Sequence, residues 1–454
     1  MAAAVSFSLL RIPIQIPDSL VVMLQVQAAP SASLTYFVGE QGFLRPIYMS
    51  QTRLLLDAAQ GEHYFLVFRG FHVLLVVVLL ALFVRAARVR TRTDCAAFAV
   101  ALLVLAGHHT FRGNVWESYP VNHYLEIAIY SLAALVLCQS RGGWWIDLLA
   151  AATFAAAALT LESGLIVWVV IAVAWMAGLR GVSWKGLALV TLLLAGYFYV
   201  RYAYFGTGGP DLMDRATGFG LGRLERDEVA ARFADAPLLL YAYNVMASML
   251  SVLLSEPRGG TFEMTRRWLA GELTPSVFVA LVSSAIGTGF LVWFAVTRWG
   301  SWMSRRFEHG DHLVLMCIAV TAANAAISYA YVKDEIMSTA GVFYALAVFA
   351  AVRAALTRVP EARRGLTTIA LSVLLLTASA TWAIRATGLH YHMYYASYYL
   401  RNEWATVEVW LRDQRVEPTT EEGWRLVESL RTAAIEMRAL NPHFLPRWAE
   451  RWFA

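Results

Sequence analysis

Ten apolar stretches recur along this 454-residue chain, at 66–84, 95–107, 121–138, 144–161, 164–178, 187–204, 275–297, 312–331, 338–357 and 366–387. Inside a bilayer every backbone N–H and C=O must be satisfied without water, so only α-helices or closed barrels can cross. Continuous apolar runs select helices, since a barrel strand alternates polar and apolar residues over about ten positions. Several runs fall short of the ~20 residues that cross a bilayer alone, which suits helices packed inside a bundle. A mean hydropathy of +0.53 and only 15% charged residues leave no soluble fold of this length. The expected class is an all-α polytopic membrane protein, a bundle of about 10–11 transmembrane helices.

Charge sets the expected sidedness. Arg85, Arg88, Arg90 and Arg92 follow the first stretch, Arg141 the third, and Arg180 with Lys185 the fifth. Arg298, Arg305 and Arg306 form a fourth group, and Arg358, Arg363 and Arg364 a fifth. The excess of Lys and Arg in cytoplasmic loops puts all five inside. Residues 205 and 275 then both lie outside, so the apolar stretch 238–254 is expected to be interfacial or re-entrant within a long external loop. Its polar members Asn244, Ser248, Ser251 and Ser255 suit one wet face. The alternative, that 238–254 crosses and the later arginine loops face outward, conflicts with the charge rule.

The chain divides accordingly into five parts: 1–65, a short or clipped first helix with a large external loop; 66–204, a first bundle; 205–274, a second large loop; 275–387, a second bundle; and 388–454, a small external cap. The ten residues ahead of Arg11 are too few to cross, hence the expectation of a clipped first span. Lys185 and Lys333 are the only lysines, and the richness in arginine and alanine points to a GC-rich bacterial genome. The net charge of +5 is explained by the inner loops and gives no reason to expect nucleic acid. Cys95, Cys138 and Cys317 lie in apolar spans without CxxC spacing, so no disulfide framework or thiolate metal site is read from them.

The chemistry-bearing residues concentrate in the external loops. Asp18 sits among Ile16, Pro17, Leu20 and Val21, where partial desolvation would make a carboxylate a better base; it could equally cap the helix that follows. Arg45 precedes Pro46, which biases it to extended backbone, and its planar fork suits a phosphate or a lipid headgroup. His108, His109, Arg112 and Glu117 share one loop, as substrate contacts or as ordinary loop polars. Glu126 lies one turn inside a span, where a carboxylate needs a cavity or a partner; His123 is three residues away. Glu162 occupies a three-residue turn with no cation nearby in sequence, and Asp334 and Glu335 adjoin Lys333. Arg69 and Arg201, near span ends, read as snorkelling residues. Gly218, Gly220 and Gly222 do not make a GxGxxG pattern after a strand, so a nucleotide fingerprint is discarded. Five tyrosines between 391 and 399 read first as an interfacial belt.

Taken together, these loops resemble the GT-C superfamily of integral-membrane glycosyltransferases, and within it the bacterial mannosyltransferase-like and aminoarabinose-transferase-like branches. The likeness rests on a large first external loop with an acid near its start and an Arg-Pro element, on the His108–His109 loop running to Trp116 and Glu117, on the turn Leu159-Thr160-Leu161-Glu162-Ser163-Gly164, and on Tyr331-Val332-Lys333-Asp334-Glu335. Two departures stand out: Ser19 follows Asp18 where the family usually has a second acid, and the Glu162 turn lacks its lysine. The resemblance implies transfer of a sugar from a polyprenyl-phosphate donor to a lipid, glycan or protein acceptor on the periplasmic side of the bacterial inner membrane. It assigns Asp18 as catalytic base, gives Arg45 and Arg112 to the phosphate, and puts His108, His109, Glu117, Glu126, Glu162 and Asp334 in contact with substrate or lining the cavity. It implies membrane lipid and the polyprenyl-phosphate sugar as partners, and it allows a divalent metal. A lipid-linked glycan transporter and a catalytically inactive relative stay open as alternatives, the first predicting paired intramembrane charges and repeated halves.

Overall fold

The structure, a computed structural model, describes residues 1–17, 19–28, 44–111, 121–206, 226–254, 260–330, 332–358, 365–414, 416–437 and 452. Among the described residues there are helices and no strands, as a polytopic membrane chain requires. Ahead of the bundle lie α1 (Ala2–Leu9), α2 (Ser19–Ala28) and α3 (Pro46–Ala58). The first half of the bundle comprises α4 (Tyr64–Ala87), α5 (Arg92–Gly107), α6 (His123–Cys138) and α7 (Trp144–Thr160), then a 3-10 turn at Glu162–Leu165 leading into α8 (Ile166–Met176). It closes with α9 (Trp184–Phe198), extended by a π-helical segment at Tyr199–Tyr204. After α10 (Arg226–Phe233), α11 (Pro237–Leu254) and α12 (Gly260–Leu269) come the long helices α13 (Pro275–Met303), α14 (His309–Ile327), α15 (Ser338–Arg358) and α16 (Leu366–Ala405). The chain ends in α17 (Val407–Asp413) and α18 (Glu421–Glu436). Among the described residues seven helical segments are long and apolar enough to cross a bilayer.

Local chemistry starts these helices. Thr91 and Asp94 form a reciprocal capping box at α5, and Glu308 and Asp311 another at α14. Both boxes turn their acid to a second use: Asp94 pairs with Arg353 of α15, and Asp311 takes Arg298 of α13 at 2.7 Å. Ser183 caps α9 and is itself held by Asp147, whose Oδ2 accepts from Ser183 Oγ at 2.6 Å. With His309 Nε2 3.2 Å from the Ala87 carbonyl and Gly181 N–H on that of Cys138, these contacts define one arginine-bearing end of the bundle. The opposite, loop end carries Gly107, the Glu162 turn and 332–338. At the centre runs α15, buried on all sides from Ser338 to Val352, as a helix apolar around its whole circumference must be.

The α11 segment is long and apolar enough to cross, and its polar contacts tie it to residues near the loop end. Asn244 donates to the Tyr329 carbonyl, just past α14, at 3.0 Å. The Val252 carbonyl lies 3.0 Å from His108 Nε2, just past α5, and Thr288 bonds the Leu253 carbonyl. Ser283 and Ser284, one turn before Thr288, sit level with Gly107 because Arg385 contacts all three. The polar face of α11 is not wet as the sequence suggested: Asn244, Ser248 and Ser251 are buried against the bundle.

Two sequence expectations need correction. The last span does not stop at residue 387: α16 continues unbroken to Ala405 and buries Trp404 completely. Arg69 does not snorkel to headgroups. It is 1% exposed and donates to the carbonyls of Ile12 at 2.7 Å and Pro13 at 2.6 Å. Alongside it, Ser397 donates to the Arg11 carbonyl and Trp404 to that of Ile14, both at 2.6 Å. Four consecutive carbonyls of residues 11–14, which no regular element could satisfy beside Pro13, are thus each taken by a side chain of α4 or α16. The segment also joins a second core: Ile14, Ile16, Leu20 and Met23 pack with Tyr48, Phe68, Trp404 and Leu426. The first loop and the C-terminal cap therefore share one apolar core instead of forming separate layers.

Removing a donor from this array leaves buried carbonyls unsatisfied. Trp404→Phe and Arg69→Met are each expected to destabilise by about 1–3 kcal/mol, read as a lowered thermal midpoint in detergent. Midpoints at the wild-type value in both variants would show that these bonds do not hold the segment.

Candidate functional site

The site assembles where α3 meets the loop ends of α6 and α7, with Arg201 joining from the end of α9 through Glu162. Arg45 occupies the N-cap position of α3 without a side-chain cap bond, ahead of Pro46, and its side chain leaves the helix as it begins. It reaches the Glu162 turn, 117 residues away, and grips the carboxylate with both Nε and Nη2, the shortest contact being Nη2 to Oε2 at 2.7 Å. Arg201 approaches the other oxygen, Nη1 to Oε1 at 3.4 Å, and donates to Tyr197 Oη at 2.8 Å. Arg201 is the second correction to the snorkelling expectation, being 7% exposed and turned into the protein. It lies in the π-helical segment, a rare form that frequently marks functional positions. Gly164 lets the Glu162 turn sit directly on α7, since a Cβ there would collide with the Ala157 carbonyl.

The electrostatics follow from this geometry. Burial pushes the Glu162 carboxyl up, but Arg45 and then Arg201 outweigh it and hold the group below its ordinary value of 4.5. Burial likewise presses the Arg45 guanidinium down, and Glu162 reverses the sign and raises it. A carboxylate flanked by two guanidiniums gives the cluster a net positive charge at the loop end of the bundle.

Glu126 lies one helix away, 2% exposed. Its partner is Gln51 of α3, whose Nε2 donates to Oε1 at 2.8 Å, not His123 as sequence spacing suggests. Among the described residues, Glu126 Oε2 and Gln51 Oε1 are buried without a hydrogen-bond partner. His123 instead meets Tyr48 edge-on, ring centroids 5.1 Å apart, within electrostatic reach of both Arg45 and Lys333. That places the late loop next to the first. There Lys333 pairs with Glu335 at 3.8 Å, while Asp334 turns to His109, Oδ1 to Nε2 at 3.4 Å. His108 stacks on His109 with ring centroids 5.0 Å apart and contacts Thr110 and the Val252 carbonyl, away from Asp334. Gly341 permits this, because a Cβ would strike Thr110. Burial, then His109 and Arg385, keep His108 neutral well below its ordinary titration range.

Of the sequence candidates, the structure gathers Arg45 with Glu162, and His109 with Asp334, around one end of the bundle; Glu126 joins through Gln51, and His108 is a packing contact beneath them. Asp18, Arg112 and Glu117 lie outside the described residues. Sequence reasoning missed Arg201, Gln51 and Tyr197. An ionisable residue inside a span is by default a functional candidate, and that signal was present at Arg201. No sequence signal marks Gln51, whose role depends on where α3 lands. Among the described residues no three His, Cys, Asp or Glu side chains converge as a metal site, so no step is derived through a metal. Compared with protein-family models, curated proteins and solved structures, the chain matches none.

A carboxylate held low by its partners adds stability that is present above its ordinary value and lost as pH falls through that value toward the folded one. Wild-type stability is therefore expected to fall as pH drops below 4.5, and Glu162→Gln to flatten this acid limb. At pH 7 the same variant is expected to lose about 1–3 kcal/mol, below the range for a fully buried pair because the carboxylate is partly exposed. Unfolding midpoints measured against pH decide it, and parallel acid limbs would count against the ion cluster.

Proposed function

We propose that this is a membrane glycosyltransferase of GT-C type, which moves a sugar from a polyprenyl-phosphate donor to an acceptor at the loop end of the bundle. In this reading the loop end faces the periplasm of a bacterial inner membrane, as the arginine distribution implies. The observation that carries the reading is the convergence of Arg45, Glu162 and Arg201, from three separate segments, into a partly exposed cationic cluster at the membrane boundary. A polyprenyl phosphate is anchored in the bilayer by its chain, so its phosphate stays at that depth, where guanidinium forks match it.

The chemistry requires few parts. The base, assigned to Asp18, takes the proton of the acceptor hydroxyl, whose oxygen attacks the anomeric carbon. The bond from that carbon to the phosphate oxygen breaks, and the polyprenyl phosphate leaves with the electron pair. Arg45 and Arg201 stabilise the added charge, and Glu162 fixes the orientation of both. The array on the carbonyls of residues 11–14 anchors the chain just ahead of Asp18. His109 with Asp334, and Glu126 with Gln51, supply the neighbouring polar walls.

The test is a transfer assay in membranes with radiolabelled polyprenyl-phosphate sugars. Wild type is expected to transfer label. Asp18→Asn should lower the rate by about 10²–10⁴-fold, the usual contribution of a general base. Arg201→Gln should lower it too, with expression unchanged. Full activity in both variants would remove this site from the reaction, and an inactive wild type would favour a lipid-linked glycan transporter or an inactive relative.

A further inference from the structure

At the opposite end of the bundle, the structure holds a cavity of about 710 Å³ that the transfer reaction does not use. The ends of α4 and α6 and the start of α7 enclose it. Arg85, Arg88, Arg90 and Arg141 supply its cationic wall, and Val84 and Trp145 its apolar one. Among the described residues none of these four guanidiniums has a carboxylate at ion-pair distance. The acids of this end are committed elsewhere: Asp94 to Arg353, Asp311 and Glu308 to Arg298, and Asp147 to Ser183. The cluster is therefore an accumulation of like charge around an open volume. Burial, then Arg90 and Arg85, lower Arg88 below the ordinary guanidinium value, a repulsion that a bound anion would relieve. Arg88 is held in place by a 2.6 Å bond from Nη2 to the Gln139 carbonyl, whereas the guanidiniums of Arg85 and Arg141 make no hydrogen bond or ion pair among the described residues and so present their whole forks.

We propose that this cavity binds the phosphate headgroup of an anionic phospholipid, with the four arginines around the phosphodiester and the acyl chains lying along α7. Planar forks bind phosphate in bidentate fashion, and basic cavities between helix ends on this side of a membrane suit acidic headgroups. The choice of a lipid over free phosphate rests on the apolar wall. Trp145 is 52% exposed, and Leu148 and Leu149 continue its exposed face along α7, a surface that a free anion would leave bare.

The experiment uses the full chain purified in dodecyl maltoside and exposed to phosphatidylglycerol, phosphatidylcholine or inorganic phosphate at equal concentration. Native mass spectrometry reads retained lipid, and the thermal midpoint reads stabilisation. Phosphatidylglycerol is expected to be retained and to raise the midpoint, and phosphatidylcholine to do neither. Arg85→Gln with Arg141→Gln should weaken retention by about thirtyfold, at roughly fivefold for each basic residue near the surface. Lysine at both positions should restore part of it. The single Arg85→Gln variant, expected at about fivefold, carries the test if the pair is not recovered folded. Arg305→Gln with Arg306→Gln removes the same charge from exposed positions at the same end and should leave retention unchanged. Equal retention of both lipids, no effect of the Arg85 and Arg141 substitutions, or equal damage from the Arg305 and Arg306 pair would each overturn the proposal. The same midpoint rise with inorganic phosphate would overturn the assignment to a lipid.

Discussion

The outer layer of this protein depends on how four consecutive backbone carbonyls, those of residues 11–14, are satisfied. An extended segment pressed against a bundle has no ladder of its own, and each unpaired carbonyl buried there would be destabilising. Arg69, Ser397 and Trp404 answer all four from two helices that lie far apart in sequence. The same bonds explain why α16 extends well beyond a bilayer's thickness: its outer turns are the surface on which the first loop is built. With the segment fixed, α2 and α3 share a core with α18, and α3 is laid across the ends of α6 and α7.

That placement turns a set of isolated charges into a site. Inside a protein the effective dielectric is low, so a lone buried carboxylate or guanidinium is costly and pairing is strong. Glu162 alone in its turn would be such a group, and it becomes tolerable because Arg45 arrives from the first loop and Arg201 from α9. Glu126 is the contrast: one neutral amide from Gln51 satisfies one oxygen, and the other is buried with no hydrogen-bond partner among the described residues. The two ends of the bundle also divide the labour of charge. At the arginine end, acids such as Asp94 and Asp311 serve as helix caps and ion-pair partners at once, which leaves a separate group of arginines around a cavity without acids.

The alternation of helices was legible because it rests on one local rule, that apolar runs long enough to cross become helices and arginines stay on one side. For 238–254 the same parity gave an interfacial helix with a wet polar face, whereas the structure buries Asn244, Ser248 and Ser251 against the bundle and ties the helix to Tyr329 and His108. Unusual placement marked two of the residues that the structure brings together with distant partners, Glu126 inside a span and Glu162 in a tight turn. Partner choice was not. Spacing offered His123 for Glu126, and proximity offered Lys333 for Asp334, but the actual partners, Gln51 and His109, come from distant segments.

Sequence by itself determined the class of the protein, an all-α polytopic membrane chain, and the loops in which its arginines gather. These depend on hydropathy and charge summed over a window, which neighbours along the chain suffice to set. Tertiary structure alone decided that Arg69 and Arg201 turn inward, that α16 runs on to Ala405, and that the first loop and the cap share a core. Each of these is a question of which distant group satisfies a buried polar atom or covers an apolar face. The answer depends on packing in three dimensions, and no local pattern encodes it.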